Sequence, residues 1–345
     1  MNSVKSGLGG KGGMKQMQLK EIYQPIREEL TSVEQILKKS LKGARNKSIL
    51  EISDYLLGAK GKRLRPALVI LSARASQQSP PINERSMASV ACAMELIHTA
   101  SLIHDDVIDH ALLRHNKSTI NSKYGQDVSI ALGDYLYSIG FELISSCRNT
   151  DILSCVASAT RAMCEGELIQ VCERDNLELL KKRYIIIAKK KTASLFVASC
   201  QAGAILSDSG GSVQETLKRY GLNFGIAFQI IDDCLDLIGE AEDLGKSPGA
   251  DFKMGELTLP VLNLLTQAKD KNRIMSLVRQ QDNPEAFKEL RQRFINSEAR
   301  IKTKGDVSYY IRKAKKSLNN LEDSCFKQGL SALTDYIADR INVTE

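Results

Sequence analysis

Apolar residues recur at helical spacing from near Leu19 through Ile26, Leu30, Val33, Ile36 and Leu37, and again from Ile49 to Leu57. The same period runs from about Glu84 through Ala91, Met94, Ile97 and Ser101, and from Asp127 to Phe141. It returns over Ile152 to Val171, Leu177 to Leu206 and Val213 to Leu237. No segment alternates strictly between apolar and polar, so the pattern predicts helices and no strands. Ser79-Pro80-Pro81 breaks the chain, and Gly239 to Gly255, with Gly245, Pro248 and Gly249, reads as a loop. No proline falls between Pro81 and Pro248, which predicts one continuous helical body. Leu257-Thr258-Leu259-Pro260 opens a more charged C-terminal third of amphipathic helices, expected to lie at the periphery, with Arg312 to Lys316 as a solvated face.

Two of the apolar runs end in acid. Leu102-Ile103-His104 leads into Asp105, Asp106 and Asp109, and Gln229-Ile230-Ile231 leads into Asp232, Asp233 and Asp236. At helical pitch i and i+4 share a face, so Asp105 sits with Asp109 and Asp232 with Asp236. Carboxylates so close repel one another, and the end of a helix adds further negative potential. The pairs call for a hard, oxygen-seeking cation. Mg²⁺ fits, because it takes one or two carboxylates and completes its shell with water and phosphate. One DDxxD is a cheap motif, and a solvated helix end explains it well; two copies, each behind an uncharged run, favour a site.

Between the first helices, Gly58-Ala59-Lys60-Gly61-Lys62-Arg63-Leu64-Arg65 is a glycine-rich basic loop, and Pro66 is expected at the first position of the next helix. Free N–H groups beside lysine and arginine make a phosphate cradle. Arg114-His115-Asn116-Lys117 is a second polar elbow, and Lys191-Thr192 opens an otherwise apolar stretch, which suits a wet cavity. Two carboxylate claws ringed by cations are laid out to hold a diphosphate through metal ions. If the attached carbon is allylic, losing diphosphate yields a delocalised cation, and an apolar chamber keeps water from it.

Composition narrows the setting. With 43% apolar and 26% charged residues the chain is globular, and its apolar runs are expected to fall short of the roughly 20 residues that span a bilayer. Eight cysteines are scattered singly, which points to a reducing, cytoplasmic setting. The charge of +7 suits anionic small molecules. With no tryptophan and few aromatics there is no platform for nucleic acid. Residues 1–18 lack an apolar core and any acid, and are expected to be a disordered lead-in to a single domain over 19–345.

Taken together, the chain resembles the trans-type polyprenyl diphosphate synthases over roughly residues 25 to 340. Besides the aspartate motifs, the resemblance rests on Gly61-Lys62-Arg63-Leu64-Arg65-Pro66, Glu95-Leu96-Ile97-His98, Gly133-Asp134-Tyr135-Leu136, Gly166-Glu167, Lys191-Thr192, Phe228-Gln229, Gly245-Lys246 and Thr258-Leu259-Pro260. It implies an all-α isoprenoid-synthase fold, a helical bundle around a central apolar cavity, and a homodimer. It also implies an enzyme that adds isopentenyl diphosphate to an allylic prenyl diphosphate with three Mg²⁺ per site. By similarity Asp105, Asp109 and Asp232 would serve the metals, joined by Asp106, Asp233 and Asp236. Lys62, Arg65 and His98 would hold isopentenyl diphosphate. Arg114, Lys191 and Lys246 would hold the allylic diphosphate, while the oxygens of Thr192 and Gln229 would steady the cation. The sequence departs from the family pattern at His115, where a second arginine is usual, at Asn116 in place of glycine, and at Glu256 in place of lysine. His115 is expected to contact isopentenyl diphosphate in its protonated form.

In that family the residues one turn before the first aspartate floor the product pocket. Here they are Ala100 and Ser101, with Ile97 a turn lower, so the floor is small. The implied product is long, above C20 and in the C30 to C40 range. A shorter geranylgeranyl or farnesyl product is the nearest alternative. A non-catalytic partner subunit would typically have lost aspartates that this chain keeps. A metal phosphohydrolase lacks an upstream histidine ligand here, and a terpene cyclase has no need of the Lys62, Arg65 and His98 set.

Overall fold

The computed structural model describes residues 18–58, 61–77, 81–114, 116–173, 183–239 and 248–341. The expected lead-in, apart from its last residue, and the positions of His115 and Lys246 lie outside them. Helices dominate: α1 (Leu19–Ile22), α2 (Arg27–Leu41), α3 (Lys47–Leu57), α4 (Leu64–Ser76) and α5 (Glu84–Ile108) come first. They are followed by α6 (Ile120–Tyr124), α7 (Gln126–Ser146), α8 (Thr150–Cys172), α9 (Ser194–Leu206) and α10 (Gly211–Ile238). The remainder holds α11 (Ala250–Lys253), α12 (Leu259–Gln267), α13 (Lys271–Val278), α14 (Pro284–Ile295), α15 (Glu298–Ser317) and α16 (Cys325–Asp339).

Burial explains which helices are central. Every residue of α4 from Leu64 to Ala73 is buried, so this helix is covered on all sides and packs on several neighbours at once. It lies against α5, α9 and α16, while α5 packs along α7 and α10 packs along α9 and α15. Asn83 caps α5 by accepting from the Ser86 N–H, which fixes where the long helix starts. By length and composition α5 is apolar enough to cross a bilayer, contrary to expectation, but 72% of that stretch is buried inside the fold. It is a core helix that ends in the first aspartate cluster.

Between α8 and α10 the chain takes a π-helical turn, Ala188–Ala193, which carries Lys191 and Thr192. A wide turn of this kind is rare and tends to occur at functional sites. Two glycines let neighbours close on it. A Cβ at Gly166 on α8 would stand 2.6 Å from the Lys191 backbone nitrogen, and one at Gly225 on α10 would stand 2.6 Å from Ala193 Cα. Only hydrogen fits at either place.

Three expectations are corrected. Leu113–Arg114 and Lys117–Ser118 form a short antiparallel hairpin, β1 and β2, where no strand was expected. Two pairs are too few for alternation to register, and the hairpin is made by its turn, with Asn116 at φ 57°, a left-handed conformation asparagine tolerates as glycine does. Pro66 is the third residue of α4, preceded by Leu64 and Arg65, with Arg63 at φ 53° before them. Proline is tolerated there because first-turn N–H groups have no intrahelical partner. Finally, α15 and α16 are not peripheral throughout: α15 lies along α10, and α16 packs on α4 and carries the fully buried Leu330, Leu333 and Ile337.

Two alanine substitutions of opposite sign test this packing. Gly166→Ala should lower unfolding stability by about 1–3 kcal/mol, because backbone has to move. Gly305→Ala, on an exposed helix face where a Cβ meets nothing within 4 Å, should raise it by about 0.5–1 kcal/mol. Urea unfolding of both variants decides; destabilisation by Gly305→Ala, or none by Gly166→Ala, contradicts the packing described.

Candidate active site

The C-terminal ends of α5 and α10 bring the two aspartate clusters to one chamber. Asp105, Asp109, Asp232 and Asp233 all line it, together with Arg65, His98, Ser101, Arg114, Lys191, Thr192 and Gln229. The chamber holds about 250 Å³, far above the ~10–15 Å³ one water needs, so it is a ligand-sized space and not a packing defect. Its apolar wall comes from Leu102, Met163, Ile187, Ala188, Phe228 and Leu257.

The six aspartates are sorted by their neighbours. Asp106 is buried and accepts from Arg114 Nε at 3.0 Å and Nη2 at 2.8 Å. Asp236 accepts from the backbone N–H groups of Ala250 and Asp251, at 3.3 and 3.0 Å, and so caps α11. Asp233 accepts from Tyr184 Oη at 2.6 Å and Gln229 Nε2 at 2.7 Å. These three carboxylates are thus tied into the protein scaffold. Asp105, Asp109 and Asp232 line the chamber together. Burial, and then Glu167 and Asp109 against the pull of Lys191, push the Asp105 carboxyl up to about 7. That rise is chiefly the cost of burying a charge.

Among the described residues no three acidic, histidine or cysteine side chains converge tightly enough to cage a metal unaided. The donors nonetheless fit Mg²⁺, which rarely takes a complete protein cage and here would find hard oxygens with room for water and phosphate.

Cations line the chamber as well, Arg65, Arg114 and Lys191 among them, with Lys62 outside its lining. Arg65 is buried, stacks over the Phe196 ring at 4.3 Å, and its Nε has no hydrogen-bond partner. Burial pulls its guanidinium down to about 10, Glu95 opposing. The Lys62 ammonium is pulled down to about 8 by burial and by Arg340, Asp232 opposing. Burial and then Arg65, Arg114 and Arg63 hold the His98 imidazole well below its ordinary value, so it is a neutral hydrogen-bonding group. A buried guanidinium with an unpartnered N–H makes a site for an anion. Lys191 pairs with Glu167; burial works against its charge, but Asp105, Glu167 and Glu256 outweigh that and hold it above its ordinary value. Arg114 is likewise held charged against burial by Asp106, Asp105 and Asp232. Thr192 Oγ1 donates to Gln229 Oε1.

Of the residues assigned to the pocket floor, only Ser101 lines the chamber. Ala100 and Ile97 are fully buried in the helix packing, with Ile97 turned toward Gly140 of α7. Several chamber residues escaped the sequence reading: Tyr184, Gln170, Met163 and, near the cationic wall, Arg340. Tyr184 lies two helical turns before Lys191, a spacing that puts the two on one side of a helix, and that was the available signal. Glu256 lines the chamber, accepts from Gln170 Nε2, and so presents an acid where a lysine was the family expectation.

The sequence profile of the polyprenyl synthetase family matches residues 46–294. A short chain isoprenyl diphosphate synthase of Methanothermobacter thermautotrophicus is 33% identical over 333 residues, covering 93% of this chain and 99% of the relative. Component 2 of the heptaprenyl diphosphate synthase of Bacillus subtilis is 32% identical over 324 residues, 94% and 91% respectively. A crystal structure of the polyprenyl synthase of Caulobacter crescentus, complexed with calcium and isoprenyl diphosphate, superposes with a TM-score of 0.88 at 30% identity, over 94% of this chain and 99% of that one. Relatives of both short and long product length stand equally near.

Lys62 gives the cationic wall a pH signature. An anion is held by the ammonium form, so affinity is complete below the Lys62 value of about 8 and weakens above it, by about tenfold per pH unit for one linked proton. Calorimetric titration with inorganic diphosphate, without metal, from pH 6.5 to 9.5 should show this slope, and Lys62→Met should abolish it. A flat profile in the unaltered protein contradicts the assignment.

Proposed function

The chain belongs to the polyprenyl synthetase family and is a trans-type prenyltransferase, and on that footing we propose which reaction it runs and which residues run it. The reaction is the Mg²⁺-dependent condensation of isopentenyl diphosphate with an allylic prenyl diphosphate, repeated to give a polyprenyl diphosphate longer than C20, in the C30 to C40 range. What carries the reading is one chamber lined both by Asp105, Asp109 and Asp232 and by Arg65, Arg114 and Lys191.

Asp105, Asp109 and Asp232 would hold the metal ions. Bound there, Mg²⁺ supplies Lewis acidity, drawing charge from the oxygen that joins the allylic carbon to diphosphate. Arg114 and Lys191 orient the allylic diphosphate, and both are kept charged by the acids around them. Lys62, Arg65 and His98 receive isopentenyl diphosphate. The Arg65 Nε has no other partner, and His98 offers a hydrogen bond without adding charge. The allylic C–O bond breaks and leaves a delocalised cation. The isopentenyl double bond then attacks it, a new C–C bond forms, and a proton leaves for the departed diphosphate. Thr192 and Gln229 turn oxygen toward the chamber, where the cation is stabilised by the negative ends of dipoles. Leu102, Met163, Ile187 and Phe228 keep water out.

Product length is argued from Ser101. It is the small residue on the wall beside the first cluster, so the elongating chain meets no aromatic stop there. Lys246 and His115 belong to the same reading as further diphosphate contacts, and the working form is a cytoplasmic homodimer with no nucleic-acid partner.

Purified protein with Mg²⁺, labelled isopentenyl diphosphate and C10, C15 or C20 primers should yield products above C20. Ser101→Phe should shift the distribution to C20 or below, with primer consumption retained. Absence of transfer with every primer sinks the reading, and an unchanged distribution in Ser101→Phe sinks the wall.

A further inference from the structure

The second aspartate of the α10 cluster is held in a way that metal binding does not explain. Asp233 is 4% exposed, and each of its oxygens already accepts from a neutral donor: Oδ2 from the Tyr184 hydroxyl at 2.6 Å, Oδ1 from Gln229 Nε2 at 2.7 Å. With both of its oxygens accepting, Asp233 meets the NH2 side of the Gln229 amide. The amide oxygen then points the other way, where it accepts from the Thr192 hydroxyl at the chamber wall. We propose that Tyr184 is a positioning residue for prenyl transfer, acting through Asp233 to fix the Gln229 amide with its oxygen, and not its NH2, toward the reacting carbon.

The inference rests on the prenyl-transfer reading and adds to it a residue and a mechanism. A flipped amide would present the positive end of its dipole to a forming cation, so the orientation decides whether Gln229 helps or hinders. Tyr184 suits the task. Burial and the adjacent Asp233 hold its phenol well above the ordinary value, so it stays a donor throughout. Its place in the chain matters too. Tyr184 belongs to the helical segment 183–187 that runs into the π-helical turn bearing Lys191 and Thr192, while Gln229 and Asp233 stand at i and i+4 on α10. The relay Tyr184, Asp233, Gln229, Thr192 therefore leaves one segment, climbs one turn of α10 and returns to the first. Two helices are locked in register by a circuit in which each polar side chain has its partner.

Tyr184→Phe keeps the ring and removes the hydroxyl. In the full-length enzyme it should lower kcat about tenfold while leaving KM for both diphosphates within about twofold. Introduced into Gln229→Met, the same change should cost less than about twofold more, since its route is already cut. Mn²⁺ affinity read by electron paramagnetic resonance should be the same in Asp233→Asn as in the unaltered protein, and thermal melting should establish that each variant folds. Multiplicative effects of Tyr184→Phe and Gln229→Met overturn the proposal, and so does weakened Mn²⁺ binding in Asp233→Asn. An unaltered protein with no transfer overturns the prenyl-transfer reading and this proposal with it; transfer with a multiplicative cycle overturns this proposal alone.

Discussion

Burying carboxylates at the C-terminal ends of two helices is the constraint on which the rest of the structure depends. Each group loses hydration, faces its neighbours' charge and meets the negative end of a helix dipole. The fold relieves this unequally. Arg114 neutralises Asp106, the first N–H groups of α11 satisfy Asp236, and neutral donors hold Asp233. Burial still lifts the carboxyls of both Asp105 and Asp233 to about 7. The residual strain is concentrated where the chamber opens. A cation arriving there replaces solvation that folding removed, which ties the stability of the ligand-free site to its appetite for divalent metal.

The cationic wall obeys the mirror-image rule. Arg65, Lys62 and His98 are each driven toward their neutral forms by burial, and Arg65 and Lys62 gain only partial relief from acids nearby. An anion placed among them restores what burial took away. The two walls thus ask for opposite guests, and a metal diphosphate beside a second diphosphate answers both. Glu256 adjusts this balance. Its carboxylate adds negative potential at Lys191 and at Asp233.

Much of this was legible from residue order because helices make it so. The period of apolar positions located α5, α7, α8 and α10, and the i, i+4 rule placed Asp105 with Asp109 before any coordinates. The same rule also explains the failures. Adjacent residues on a helix point in directions about 100° apart, so the motif alone does not say which neighbour greets Asp106 or Asp233; Arg114 and Tyr184 come from other elements. Ala100 and Ser101 differ in the same way, one turned into the packing and the other into the chamber. The π-helical turn has no apolar period of its own and is set by glycines on two other helices. The depth of α15 and α16 was hidden because an amphipathic pattern shows that one face is covered, not by what.

The central claim is that three aspartates from two helices, Asp105, Asp109 and Asp232, share their cations inside one chamber while the other three serve the scaffold. Crystals grown with Mn²⁺, isopentenyl diphosphate and a non-cleavable thio analogue of an allylic diphosphate test it through anomalous scattering. The account predicts manganese peaks in contact with Asp105, Asp109 and Asp232, with Asp233 still bonded to Tyr184 and Gln229. Peaks at Asp106 or Asp233 in their place, or ions held by the two clusters apart with no diphosphate between them, would contradict it.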